Sequence, residues 1–107
     1  MALPSIYEGL EEKVPDSLGD LHGPADGVVA LPPHLAWSGL TKFDLSNFRL
    51  RLSMYKIVIT AGQRADYETY LNADHLVADW PLLRKGLGRG YRRALEQKLA
   101  LPREILA

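Results

Sequence analysis

Proline and glycine punctuation constrains this chain more than any other feature. Five of its seven prolines (Pro4, Pro15, Pro24, Pro32, Pro33) and four of its nine glycines (Gly9, Gly19, Gly23, Gly27) fall in the first 33 residues. A proline in a helix interior removes a backbone donor and clashes with the preceding turn, so no helix longer than about two turns fits between them. One helix signature survives, in "SIYEGLEEK": Ser5 stands as an N-cap with Glu8 three residues on, a capping-box spacing, and Ile6, Tyr7 and Leu10 are apolar. Gly9 weakens it. Residues 1–34 are therefore expected to form an extended, partly disordered acidic arm. Its "VVALPPHL" segment is expected to dock through Val28, Val29 and Leu31.

Residues 35–100 read differently. In "DLSNFRLRLSMYKIVITAG", Phe48, Leu52, Tyr55 and Ile59 recur at helical spacing, with Leu45, Met54 and Val58 beside them and Arg49, Ser53 and Lys56 turned elsewhere. Ser46 is the expected cap and Gly62 the expected left-handed terminator. Residues 47–60 also alternate as a strand would, with β-branched residues in "YKIVIT"; length and the stop at Gly62 favour helix. "QRADYETYLN" predicts a short helix over 64–71. Asn72 then caps "ADHLVADW", with Asp74 in the first turn where the helix dipole favours an acid, and Leu76, Val77 and Trp80 together. Pro81 is expected to stop or restart the chain. "YRRALEQKLAL" places Tyr91, Ala94, Leu95 and Leu99 at helical spacing up to Pro102. The expected fold is all-α, a small bundle of four to five short helices over 35–100, followed by a C-terminal tail over 101–107.

At 107 residues the chain has room for one modest core. It has no cysteine, and a small domain without disulfide staples is expected in a reducing compartment. The beginning "MALPSIYEGLEEK" has neither a basic n-region nor an apolar h-region, and no window approaches the ~18 apolar residues of a spanning helix, so a cytoplasmic location with no membrane contact is expected. The net charge of zero conceals a polarity. Residues 1–36 carry Glu8, Glu11, Glu12, Asp16, Asp20 and Asp26 against Lys13 alone, whereas residues 84–107 carry seven bases against Glu96 and Glu104. Such asymmetry suits a basic patch for an anionic partner, with the acidic arm as a solvating or competing segment.

The basic stretch "PLLRKGLGRGYRRALEQK" supplies the candidate site: Arg84, Lys85, Arg89, Arg92 and Arg93. On a helix starting near Leu87, Arg89, Arg92 and Arg93 cluster at i, i+3 and i+4, and backbone amides at the helix start add donors for an anion. The competing reading is a solvated helix in which Glu96 pairs with Arg92 or Arg93. Gly86, Gly88 and Gly90 match neither the dinucleotide fingerprint nor a Walker loop, so a turn explains them. "DYETYLNADHLVADW" has a helix-turn-helix outline, but its second helix carries Asp74 and Asp79 and no base, which phosphates would repel. His22, His34 and His75 lack ligand spacing, and no metal site is expected. No nucleophile motif appears, and no cofactor or catalytic residue is assigned. Among the aromatics, Trp80 and Tyr55 are expected in the core rather than in a base-stacking platform.

The succession "LPPHLAWSG…FDL…MYKIVITAGQRADYETYLNADHLVADWPLL…YRRALE", over residues 31–96, resembles a group of short, largely uncharacterised actinobacterial proteins with a leucine-proline lead, a Tyr-Leu-Asn turn and a Trp-Pro pair. Leu95 stands where that group tends to show tryptophan. Some members sit beside nucleotidyltransferase-type toxins of the abortive-infection class, so the resemblance implies an antitoxin-like or regulatory partner. No functional residue carries over from it. The resulting expectation is a small non-catalytic protein-interaction or regulatory module with a protein partner. The alternative is a nucleic-acid-binding regulator using the same arginines on phosphate.

Overall fold

A computed structural model describes residues 9–36 and 39–101. In chain order these form helix α1 (Leu10–Lys13), a 3-10 turn (Leu18–Asp20), strands β1 (Val28–Ala30) and β2 (Lys42–Asp44), and helices α2 (Phe48–Ala61), α3 (Arg64–Tyr70) and α4 (Ala73–Leu83). A second 3-10 turn (Arg84–Gly86) and α5 (Arg89–Lys98) follow. The described chain is mostly helical, as expected. A small hairpin, which the all-α expectation did not contain, pairs Val28 with Asp44, Val29 with Phe43 and Ala30 with Lys42, antiparallel. Its alternation buries Phe43 and Leu45 and leaves Val28 65% exposed, so Leu31, with Val29 half-covered, does the docking expected of all three.

Segment 47–60 is helix, not strand. Asn47 rather than Ser46 caps it, its Oδ1 accepting from the Leu50 amide at 3.2 Å, while the Ser46 hydroxyl donates to Asp44 Oδ1 at 2.7 Å. The buried residues Met54, Tyr55, Ile57, Val58 and Ile59 make α2 the central helix, packed against α3, α4 and β2. It ends at Gly62 with φ of −80°, extended rather than left-handed. Glycine is needed there for space: a Cβ would lie 2.5 Å from the Val58 carbonyl oxygen and 2.9 Å from Asp66 Cβ. Asp66 accepts the Gln63 amide at 2.8 Å to open α3, and Asn72 Oδ1 accepts the His75 amide at 3.1 Å to open α4, as its position in the sequence suggests. Buried hydroxyls knit these helices: Tyr67 donates to the Ile59 carbonyl at 2.6 Å and Tyr55 accepts the Asn72 amide at 2.9 Å. Burial pushes the Tyr55 hydroxyl up to about 12. Pro81 does not stop α4, which runs through it for one half-turn more at the cost of the bond Val77's carbonyl would have taken from its amide.

The expected extended arm is corrected by its packing. Leu10, Val14, Leu21, Leu31 and Leu35 all lie in the same core as Tyr55, Trp80 and Leu95. Between the 3-10 turn and β1 its backbone is tied to a neighbouring helix end. His22 and Gly23 donate their amides to the Glu68 and Leu71 carbonyls at 2.8 and 2.9 Å, completing the C-terminus of α3. Lys98 reaches back to the Glu11 and Val14 carbonyls at the end of α1. Asp16 bridges Lys98 at 3.2 Å and Arg64 at 3.1 Å. Hydrogen bonds from Lys98 and then Arg64 hold the Asp16 carboxyl below the usual range, so this clasp contributes above the ordinary aspartate pKa and fades as pH falls through the lowered value. The signature beginning at Ser5 lies outside the described residues, as do Trp37 and Pro102; α1 opens at Gly9 with φ of 89°.

Gly23 sets the clearance of the docked segment. A Cβ on it would fall 2.4 Å from the Tyr70 carbonyl carbon, 2.5 Å from its oxygen and 2.7 Å from the Leu71 carbonyl carbon, all backbone. Gly23→Ala is expected to cost about 1–3 kcal/mol in urea denaturation. Gly19→Ala, which meets Ser17 Oγ at 3.6 Å, serves as control and is expected to stay within about 0.5 kcal/mol of the parent. Equal effects would show that the segment shifts freely.

Candidate interaction surface

After α4, the turn Arg84–Gly86 and buried Leu87 redirect the chain, and Gly88 stands at the N-cap of α5. The five sequence-predicted bases do not act as one cluster. Arg84 points inward, its Nε donating to Glu96 Oε2 at 2.8 Å, and the Trp80 indole N–H donates to the same oxygen at 3.0 Å. The expected pairing of Glu96 with Arg92 or Arg93 is thereby replaced. Glu96 lies over Trp80, where one carboxylate satisfies a buried indole and a guanidinium together. Arg92 is half-buried, with its Nε enclosed and lacking a hydrogen-bond partner among the described residues.

Lys85, Arg89 and Arg93 remain exposed. Arg89 and Arg93 are one turn apart on the face of α5 opposite buried Ala94, Leu95 and Leu99. Among the described residues, no acid forms an ion pair with Lys85, Arg89, Arg92 or Arg93. The arginine and lysine ion pairs among the described residues are Arg51 with Asp79, Arg64 with Asp16 and Glu68, Arg84 with Glu96, and Lys98 with Asp16. Of the described acidic segment, Asp16 clasps Lys98 and Arg64.

Lys56 of α2 joins this surface: its Nζ would lie 3.6 Å from a Cβ on Gly86. It lies thirty residues away in the chain, and its place on the polar side of α2 was the available signal. Lys13 approaches from α1, its Nζ 5.8 Å from the Tyr91 ring centre, and the Tyr91 hydroxyl donates to the Thr60 carbonyl at 3.2 Å. Burial lowers the Lys13 pKa, partly offset by Asp66.

The local electrostatics run against helix stability. The first turn of α5 holds Arg89 and no acid, and Gly88 has no side chain to cap its amides. A positive side chain beside the positive end of the helix dipole is unfavourable until an anion arrives. Carboxylates and phosphates both fit such a corner.

Tyr55, Tyr67 and Trp80 are buried, so they form no exposed stacking platform. The His75 imidazole Nε2–H donates to the Ala25 carbonyl at 2.6 Å, while Asp79 is buried against Arg51. His34 contacts both Asp66 oxygens at 3.1 Å. Among the described residues, no three His, Asp or Glu side chains converge as a metal site would need, and no helix is long and apolar enough to cross a membrane. Compared with protein-family models, with curated proteins and with solved structures, the chain matches none.

Proposed function

We propose that this chain is a small protein-interaction module that acts by occupancy, and that the exposed face of α5, Arg89 and Arg93 with Lys85 beside it, receives an acidic segment of a partner protein. One observation carries the reading: an uncapped helix N-terminus is surrounded by exposed cations that no described acid neutralises, while Arg51, Arg64, Arg84 and Lys98 are each paired internally. A partner's carboxylates would remove the repulsion and cap the helix in one step. A second reading, nucleic-acid binding, rests on the same corner, because a phosphate satisfies uncapped amides and arginines equally well.

The experiment compares the tagged parent with Arg89→Ala/Arg93→Ala as bait in lysate of the native host, with and without nuclease. The expected result is a stoichiometric protein that survives nuclease and is retained about tenfold less, or weaker still, by the variant. Equal retention by the two baits would mean that the arginines are ordinary solvated surface. Material that vanishes with nuclease transfers the arginines to the second reading, in which affinity falls by about one log unit per log unit of salt for each phosphate neutralised.

A further inference from the structure

The outer face of α4 has no use in that reading. Leu76, Asp79, Trp80 and Leu83 turn inward, which at about 100° per residue leaves Asp74, Val77, Ala78, Pro81 and Leu82 outward. Val77 is 42% exposed and Leu82 50%. A solvated helix face normally carries polar side chains; here four consecutive outward positions carry none. Asp74 closes one end of the stripe, and Lys85, exposed in the turn that continues α4, closes the other. Neither forms an ion pair with a described residue.

The order of these six residues is self-complementary. When a second copy of α4 lies antiparallel with a two-fold axis passing midway along the stripe, Asp74 meets Lys85 of the other copy, Val77 meets Leu82, and Ala78 meets Pro81. Each pair occurs twice, as an isologous contact requires. The small Ala78 and the flat proline ring sit nearest the axis, where close approach of two helices needs little bulk. The acid and base sit at the rim, where unlike charges fix direction. A parallel pairing would set Asp74 on Asp74 and Lys85 on Lys85.

We infer that the outer face of α4 is a homodimer contact, in which the stripe from Val77 to Leu82 packs antiparallel on a second copy and Asp74 pairs with the other copy's Lys85. Four apolar side chains per copy bury far less than the ~1,600 Å² of a standard interface, so the dimer is weak and concentration-dependent. It is independent of the α5 partner: Lys85 is the one shared residue, and the test uses pure protein alone.

Sedimentation of the purified chain over rising concentration is the experiment. The weight-average mass should climb from 11.9 kDa toward twice that value. Leu82→Glu should weaken association by about tenfold or more, with its circular dichroism and melting curve unchanged. Asp74→Lys alone and Lys85→Asp alone should each associate more weakly than the parent, because each sets like charges opposite one another. Mixed in equal amounts they should associate again, since the lysine introduced at 74 then faces the aspartate introduced at 85 and the unchanged Lys85 faces the unchanged Asp74. A parent that stays at 11.9 kDa to millimolar concentration overturns the inference. So does a dimer that Leu82→Glu leaves intact, or a mixture no more associated than its components.

Discussion

Asp79→Ala is expected to remove about 3–5 kcal/mol of unfolding free energy, a large share of what a domain of this size possesses. Asp79 is 4% exposed and holds Arg51 in a two-pronged grip, Nε to Oδ2 at 2.7 Å and Nη2 to Oδ1 at 2.9 Å. The remaining prong, Nη1, donates to the Leu45 carbonyl at 2.9 Å, and the guanidinium carbon stands 5.4 Å from the Phe48 ring centre. One arginine thereby joins the end of β2, the first turn of α2 and the middle of α4. Removing the carboxylate leaves that guanidinium enclosed without its anion, which costs far more than the pair itself contributes. Replacing both partners at once, Arg51→Met/Asp79→Leu, is expected to recover most of the loss, because no buried charge is left unpaired. Urea denaturation of the three variants decides it. A loss below about 1 kcal/mol for Asp79→Ala would mean that water reaches the pair and screens it.

Where local rules suffice, the sequence was legible. The 3.6-residue period in 48–61 marks α2, Asn72 caps α4 where its position suggests, and Tyr55 and Trp80 are buried as their settings imply. The N-terminal segment was misread because the rule applied to it is one-sided. Proline and glycine exclude long helices there, but they do not exclude a core contribution. Leu10, Val14, Leu21, Leu31 and Leu35 are spaced without period, so no periodic test registers them. What holds His22 and Gly23 in place is backbone bonding to α3, which has no side-chain signature at all. The candidate site was legible in part. Arg89 and Arg93 share an exposed face because local helical geometry put them there. Arg84 left the set because its partner Glu96 is twelve residues away, across a turn whose direction depends on tertiary packing rather than on spacing. Lys56 entered it for the same reason.

Trp80→Ala is the other substitution with a large expected effect, about 3–5 kcal/mol, from loss of a fully buried ring and the cavity left behind. The indole also does polar work, since its N–H and Arg84 Nε share Glu96 Oε2 at 3.0 and 2.8 Å. Trp80→Phe separates the two contributions: it keeps most of the apolar bulk, removes one donor from the carboxylate, and should cost about 1–3 kcal/mol. If the two variants prove equal, ring volume matters little and the hydrogen bond carries the node. The same node decides whether Arg84 belongs to the surface. Glu96→Gln keeps the side chain's shape and an acceptor while removing the charge that draws Arg84 inward, so it adds one net positive charge beside α5. If Arg84 is a structural residue, as its pairing implies, Glu96→Gln lowers stability and leaves partner capture close to that of the parent. If Arg84 were a contact residue held in reserve, capture would instead rise as stability fell, and the boundary drawn between the buried and exposed cations would have to move.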